Sequence, residues 1–170
     1  MLGGLGNIEL AMGDLDTARR HLHESLDVVR ALNERYGIVG ETFNLGLVEY
    51  LGGSPDAAGA LFAESFDLAR RMGMRANIAY ALIGLAPTGH GGANPGCSAR
   101  LHGAADQALA DLGHALEPLE GRLADLDRQR LRNAIGAEAF EAEYAAGRVR
   151  KLNLSSRAAA AAWGARTGLV

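Results

Sequence analysis

Residues able to do chemistry are few in this chain and widely spaced. It has five histidines. His21 and His23 stand two apart on a helical stretch, so their side chains point in different directions and cannot share a metal ion. His90, Cys97 and His102 flank a glycine-rich stretch and would converge only if that loop folded back on itself. Their spacing matches no compact metal-ligand pattern. Cys97 would need a His–Asp arrangement beside it to serve as a nucleophile, and none is legible; the alternative is a small buried or half-buried thiol. Gly89-x-Gly91-Gly92 follows a helical pattern rather than a strand, which makes a poor phosphate cradle. The loop from Thr88 to Gly96 reads instead as a mobile connector, and as the loop to watch for ligand contact. The carboxylates of Glu117, Glu120, Asp125, Asp127, Glu138, Glu141 and Glu143 interleave with Arg122, Arg128, Arg130 and Arg132, the pattern of solvated helix faces rather than of a catalytic pair. The expectation is a chain with no catalytic residue, no metal ligand and no cofactor.

Composition narrows the partners. The net charge is −3 and Lys151 is the one lysine among 17 basic residues, with arginines and carboxylates interleaved. A nucleic-acid surface would show a basic patch. The arginine bias fits a GC-rich coding sequence. The single cysteine, Cys97, rules out an intramolecular disulfide and fits a reducing cytoplasm. The first 13 residues lack a basic segment followed by an apolar run, so no secretory signal is expected, and no uncharged apolar stretch approaches the roughly 18 residues that span a bilayer. Hydrophobic residues make up 48% of the chain and aromatics 5%. With Ala and Leu dominant, that balance favours helices packed closely on small side chains.

The elements that would position any site follow from an internal repeat. Sliding the sequence by 40 residues aligns Leu5 with Leu45, Gly6 with Gly46, Glu9 with Glu49, Gly13 with Gly53, Asp16 with Asp56 and Ala18 with Ala58. It continues through Glu24/Glu64, Ser25/Ser65, Asp27/Asp67 and Arg30/Arg70, with Leu22/Phe62 and Leu26/Phe66 apolar in both copies. A period of this size marks a solenoid. Each copy reads as helix, tight turn, helix. Gly6, Gly46, Ala18 and Ala58 are expected where two helices touch backbone to backbone, and Gly13 and Gly53 where a left-handed residue ends a helix.

Asp14 and Ser54 are the expected caps of the second helices, and Pro55 suits a first helical position. The helix from about Leu15 to Arg35 sets Leu15, Ala18, Leu22, Leu26 and Val29 on one stripe. A third copy starts at Tyr80–Ala86 and then degrades into the Thr88–Gly96 loop, followed by a helix from Cys97 to Leu112 whose Gly103 invites close contact. The repeats divide at about 1–36, 37–73 and 74–112, with 113–170 as closing helices of the same domain. Pro118–Ala134 is amphipathic through Leu119, Leu123, Leu126 and Leu131. Ala137–Ala146 carries Phe140 and Tyr144 and stops at Gly147. Ser155 caps a last helix reaching Trp163.

Leu5-Gly6 with Gly13, Ala18, Leu22 and Ser25, and Leu45-Gly46 with Gly53, Ala58, Phe62 and Ser65, resemble the tetratricopeptide pattern in the longer variant of bacterial regulators. Ser98–Ala105, Ala134–Phe140 and Glu143–Gly147 resemble the C-terminal tail of large bacterial ATPase-type regulators, in which an ATPase core, often with a LuxR-type helix-turn-helix or a cyclase domain, precedes tetratricopeptide-like repeats. The fold this implies is all-α, a right-handed superhelix of helical hairpins with closing C-terminal helices. The chain has neither a Gly-x-x-x-x-Gly-Lys-Ser/Thr loop nor a DNA-binding helix-turn-helix, so the family's ATP and DNA roles do not carry over.

The resemblance implies a non-catalytic interaction or sensor module of a cytoplasmic signalling or transcriptional regulator. A protein or peptide partner would lie in a groove lined by Asn7, Phe43, Asn44, Leu47, Tyr50, Tyr80 and Ile83, unless these residues pack on neighbouring repeats or on the closing helices. No direct nucleic-acid or membrane contact is expected. Met1 falls inside the first helix, as in a chain that begins mid-solenoid, leaving Leu2, Leu5, Ile8 and Leu10 short of packing partners. Burying one such side chain contributes roughly 1.5–3 kcal/mol, so this edge is expected to pair, for instance as a homodimer through Leu2, Leu5 and Ile8, or to fray. The rival readings are a small-molecule effector pocket near Tyr80, His90 and His102, and a truncated remnant of a larger ATPase regulator.

Overall fold

A computed structural model of the chain describes residues 2–89 and 94–149. All regular structure among them is α-helix: α1 (Leu2–Met12), α2 (Leu15–Ala31), α3 (Arg35–Leu51), α4 (Pro55–Met72), α5 (Arg75–Thr88), α6 (Pro95–Leu112), α7 (Pro118–Ile135) and α8 (Ala137–Val149). The all-α expectation holds. From α1 to α6 each helix packs against the next in sequence, and α1 touches α3 as α3 touches α5. The first helices of three successive hairpins therefore lie side by side.

The 40-residue repeat is written into the backbone. Gly13 and Gly53 both adopt left-handed conformations, with φ of 84° and 82°. At each, the following amide donates back across the turn, Asp14 N to Glu9 O and Ser54 N to Glu49 O. The second helices close in the same way at Asn33, Gly73 and Gly113, with φ of 53°, 69° and 68°. Asp14, Ser54 and Asn94 occupy the capping positions of α2, α4 and α6; the side chains of Asp14 and Asn94 accept helix amides, while that of Ser54 does not. Pro55 and Pro95 each open the first turn that follows.

The third copy thus keeps its register. Its long connection arises because α5 stops a turn early, after an internal Pro87 and a left-handed Gly89, and α6 starts at Pro95 rather than Cys97. A Cβ at Gly6 would strike the Leu22 side chain and lie 3.4 Å from the Leu22 backbone nitrogen, whereas the nearest atoms to one at Gly46 all belong to the Phe62 ring. Each small residue is a socket for a large one on the partner helix of its hairpin. α2 ends at Ala31, with Arg35 already in α3, because Asn33 supplies the left-handed stop.

The closing helices differ from expectation in two places. Gly147 does not stop α8, which runs to Val149; a Cβ there would lie 2.2 Å from the Arg100 carbonyl oxygen, and one on Gly103 would lie 2.0 Å from that of Tyr144. The two glycines let α6 and α8 cross backbone against backbone. On α7, Leu131 is buried but Leu126 is 70% exposed, since α7 is covered by α5, α6 and α8 on one side only. The stretch from Ser155 to Trp163 lies outside the described residues.

Candidate partner-binding groove

The expected groove residues come mainly from α3 and α5, whose side-by-side placement brings them together. The Phe43 ring sits 5.4 Å from Phe62 and 5.9 Å from Tyr80, tilted against the first and edge-on to the second. Phe43, Leu47, Tyr50 and Ile83 line one shallow apolar cleft with Phe62, Gly84, Pro87 and Leu123. Gly84 belongs there because Phe62 fills the space where a Cβ would stand. Asn7 and Asn44 lie on the exposed rim between α1 and α3, where Asn44 Nδ2 donates to Asn7 Oδ1 at 2.7 Å.

Part of this face is covered by the chain itself. Leu116, Leu119 and Leu123 pack on the main core, and the Tyr80 hydroxyl donates to the Ala115 carbonyl at 3.3 Å. Burial raises the Tyr80 phenol above its ordinary value, reinforced by Glu120 and Glu117 at the start of α7. Burial also raises the Tyr50 phenol, reinforced by Asp127 further along the same helix. α7 therefore runs beside the groove, with its first turn near Tyr80 and its Asp127 turn facing Tyr50. The cleft at Leu47, Tyr50 and Ile83 is what remains between them. Burial pushes up the Glu120 carboxyl too, and its Oε2 has no hydrogen-bond partner.

His102 is fully buried and its Nε2 lies 2.8 Å from Asp127 Oδ2. Asp127 Oδ1 accepts from Arg130 Nε at 2.8 Å. Although burial opposes it, these partners hold the Asp127 carboxyl below the usual range. His102 Nδ1 makes no hydrogen bond. With both side chains closed to solvent, the pair fastens α7 to α6. Sequence reading missed it because its members are 25 residues apart on different helices; the available signal was a histidine set among the small residues of α6. A second cluster was missed likewise. Arg128 Nη2 donates to both oxygens of Asp106 at 2.7 and 2.8 Å, and the Tyr144 hydroxyl donates to Asp106 Oδ2. Burial and this bond push the Tyr144 phenol up to about 12.

The other candidates do not assemble. His21 is half-buried against Glu9, with Nδ1 at 2.7 Å from Oε2, while His23 is exposed. Cys97 is buried in α6. His90 and the side chain of Leu2 lie outside the described residues. His102 meets Asp127, while Tyr80 lies near Glu120 and Glu117 at the start of α7, a different turn of that helix. No group of three or more His, Cys, Asp or Glu side chains among the described residues is placed to hold a metal ion. Nor is any helix there long and apolar enough to cross a membrane.

Searches of protein-family models, curated proteins and solved structures find no match to this chain. The tetratricopeptide resemblance therefore rests on the internal repeat of the sequence alone.

Proposed function

We propose that the chain is a non-catalytic protein-interaction module, a tetratricopeptide-like helical scaffold of a cytoplasmic signalling or transcriptional regulator. Its cleft receives an apolar side chain from a helical or extended peptide of a partner. The observation that carries this reading is the convergence of Phe43, Leu47, Tyr50 and Ile83 on one cleft with no charged residue in its lining. The lack of Lys or Arg there disfavours capture of a peptide carboxylate and favours an apolar anchor. The covering position of α7 makes the occupied surface short, one or two helical turns of partner.

Selection of helical peptides by display against the intact chain tests the proposal. The expected outcome is a set sharing one apolar anchor whose binding is lost on Tyr50→Glu. Equal binding to the wild-type and Tyr50→Glu chains would overturn it. A small-molecule effector is the second reading, favoured by the apolar lining of the cleft. It moves the site from Tyr80, His90 and His102 to Tyr50 and Ile83. A thermal shift with a small apolar ligand, absent with peptides, would select it.

A further inference from the structure

The outer face of α1 is the counterpart of a covered face in the next repeat. On α3, one stripe turns toward α2. Glu41 accepts from Ser25 Oγ at 2.9 Å, Glu49 accepts from Arg19 Nε at 2.7 Å, and Gly52 lies beside the Arg19 guanidinium. Leu45, between the two carboxylates, is 1% exposed, and Val48 is 0% exposed. Forty residues earlier the same stripe reads Leu5, Ile8, Glu9 and Met12. There the apolar members are 47%, 58% and 79% exposed. At Leu5 and Ile8, α1 thus carries the apolar surface that α3 buries under α2 at Leu45 and Val48, and it carries Glu9 where α3 uses Glu49 to receive an arginine.

We infer that this face of α1 docks a helix from a partner polypeptide with the chemistry of α2, an apolar stripe and an arginine set over Glu9. Glu9 already meets His21 Nδ1, but a carboxylate has lone pairs for further donors. Charge selects against a second copy. α1 has no basic residue, so two α1 faces brought together would set Glu9 near Glu9 with no arginine to bridge them, only the His21 that each already meets. In a head-to-tail copy, α4 and α6 carry Gly59 and Ala99 where α2 carries Arg19, and α6 is already packed by α8. This docking site is separate from the cleft of α3 and α5, and either assignment can fail alone.

The test uses a labelled peptide of the α2 sequence, Leu15–Ala31, titrated against the intact chain by fluorescence anisotropy. Saturable one-to-one binding is expected. It should weaken at least about tenfold when the peptide carries Arg19→Glu, and again when the protein carries Ile8→Asp, a change at an exposed position that leaves the circular dichroism and melting of the chain unchanged. A Glu9→Arg protein, checked for an unaltered fold, should prefer the Arg19→Glu peptide. Binding indifferent to Ile8→Asp would overturn the inference, as would no binding at millimolar peptide. A concentration-dependent dimer abolished by Ile8→Asp would also overturn it, by assigning the face to a second copy through Leu5 and Ile8.

Discussion

Gly46 lies against the ring of Phe62 so closely that a Cβ would come within 2.6 Å of Cε1, and Gly6 stands in the same relation to Leu22. The packing rule of the repeat is this socket: a residue without a side chain on the first helix admits a large apolar one from the second. Helix spacing is set by whether such sockets stay empty.

The glycines should therefore separate by what faces them. At Gly103 a Cβ meets the backbone of α8, which cannot move aside, whereas at Gly4 nothing lies within 4 Å. Gly103→Ala is expected to cost about 1–3 kcal/mol as an overpacking change. Gly4→Ala should stabilise by about 0.5–1 kcal/mol through helix propensity. Urea denaturation of the two variants checks both signs.

Equivalent repeat positions should respond unequally at the edge. Val48 is fully buried and Ile8 is 58% exposed. Val48→Asp is expected to cost more than about 4 kcal/mol, and Ile8→Asp to stay within about 0.5 kcal/mol. Melting curves of both variants measure the asymmetry between the first repeat and the second.

Two carboxylates should give the stability opposite dependences on pH. Asp127 is held below its ordinary value of 3.8 by His102 and Arg130 despite its burial. Its unfolded form binds protons more readily than its native form, so its contribution is present above that value and is lost as pH falls through the lower native one. Glu41 is raised above 4.5 mainly by burial, and one of its oxygens has no hydrogen-bond partner. Its native form holds the proton more tightly, so stability falls as pH rises from 4.5 through the native value. Glu41→Gln should raise the melting temperature at pH near 7, with the gain vanishing below the ordinary carboxylate range of about 4.3. Asp127→Ala should lower it at neutral pH by the equivalent of about 3–5 kcal/mol.

Tyr144 should titrate late. Its phenol is pushed up to about 12 by burial and by Asp106, so the α6–α8 contact loses stability only at alkaline pH, above the ordinary tyrosine value of about 10. Ultraviolet titration of the wild type should show a tyrosinate step near pH 12 that Tyr144→Phe removes. The same variant should cost about 1.5–3 kcal/mol, the worth of a hydrogen bond to a charged group.

The hairpins were legible because glycine, a helix cap and apolar spacing act locally. Gly13, Gly53 and the α2 stripe could be read from one window at a time. The third copy held the same information at Asn94 and Pro95, in step with Ser54 and Pro55, but apolar matching breaks down in the Thr88–Gly96 stretch and hid the register. What could not be read were contacts between distant helices. Nothing local places Asp127 on His102, Arg128 on Asp106 or Leu123 over the cleft, because these depend on where α7 settles once the hairpins have stacked. Gly147 shows the same limit: a glycine late in a helix reads as a stop, and only the approach of Arg100 reveals it as a crossing point.

Cross-linking from the cleft tests the proposed function most directly. A photoreactive benzoylphenylalanine replaces Tyr50 in the producing cells, with the same substitution at Tyr36, 64% exposed at the start of α3, as the comparison. The account predicts one dominant protein adduct from position 50, absent from position 36 and lost when Leu123→Glu closes the cleft to apolar side chains without unfolding the chain. Adducts that are the same from both positions, or none from position 50, would contradict a partner-binding cleft.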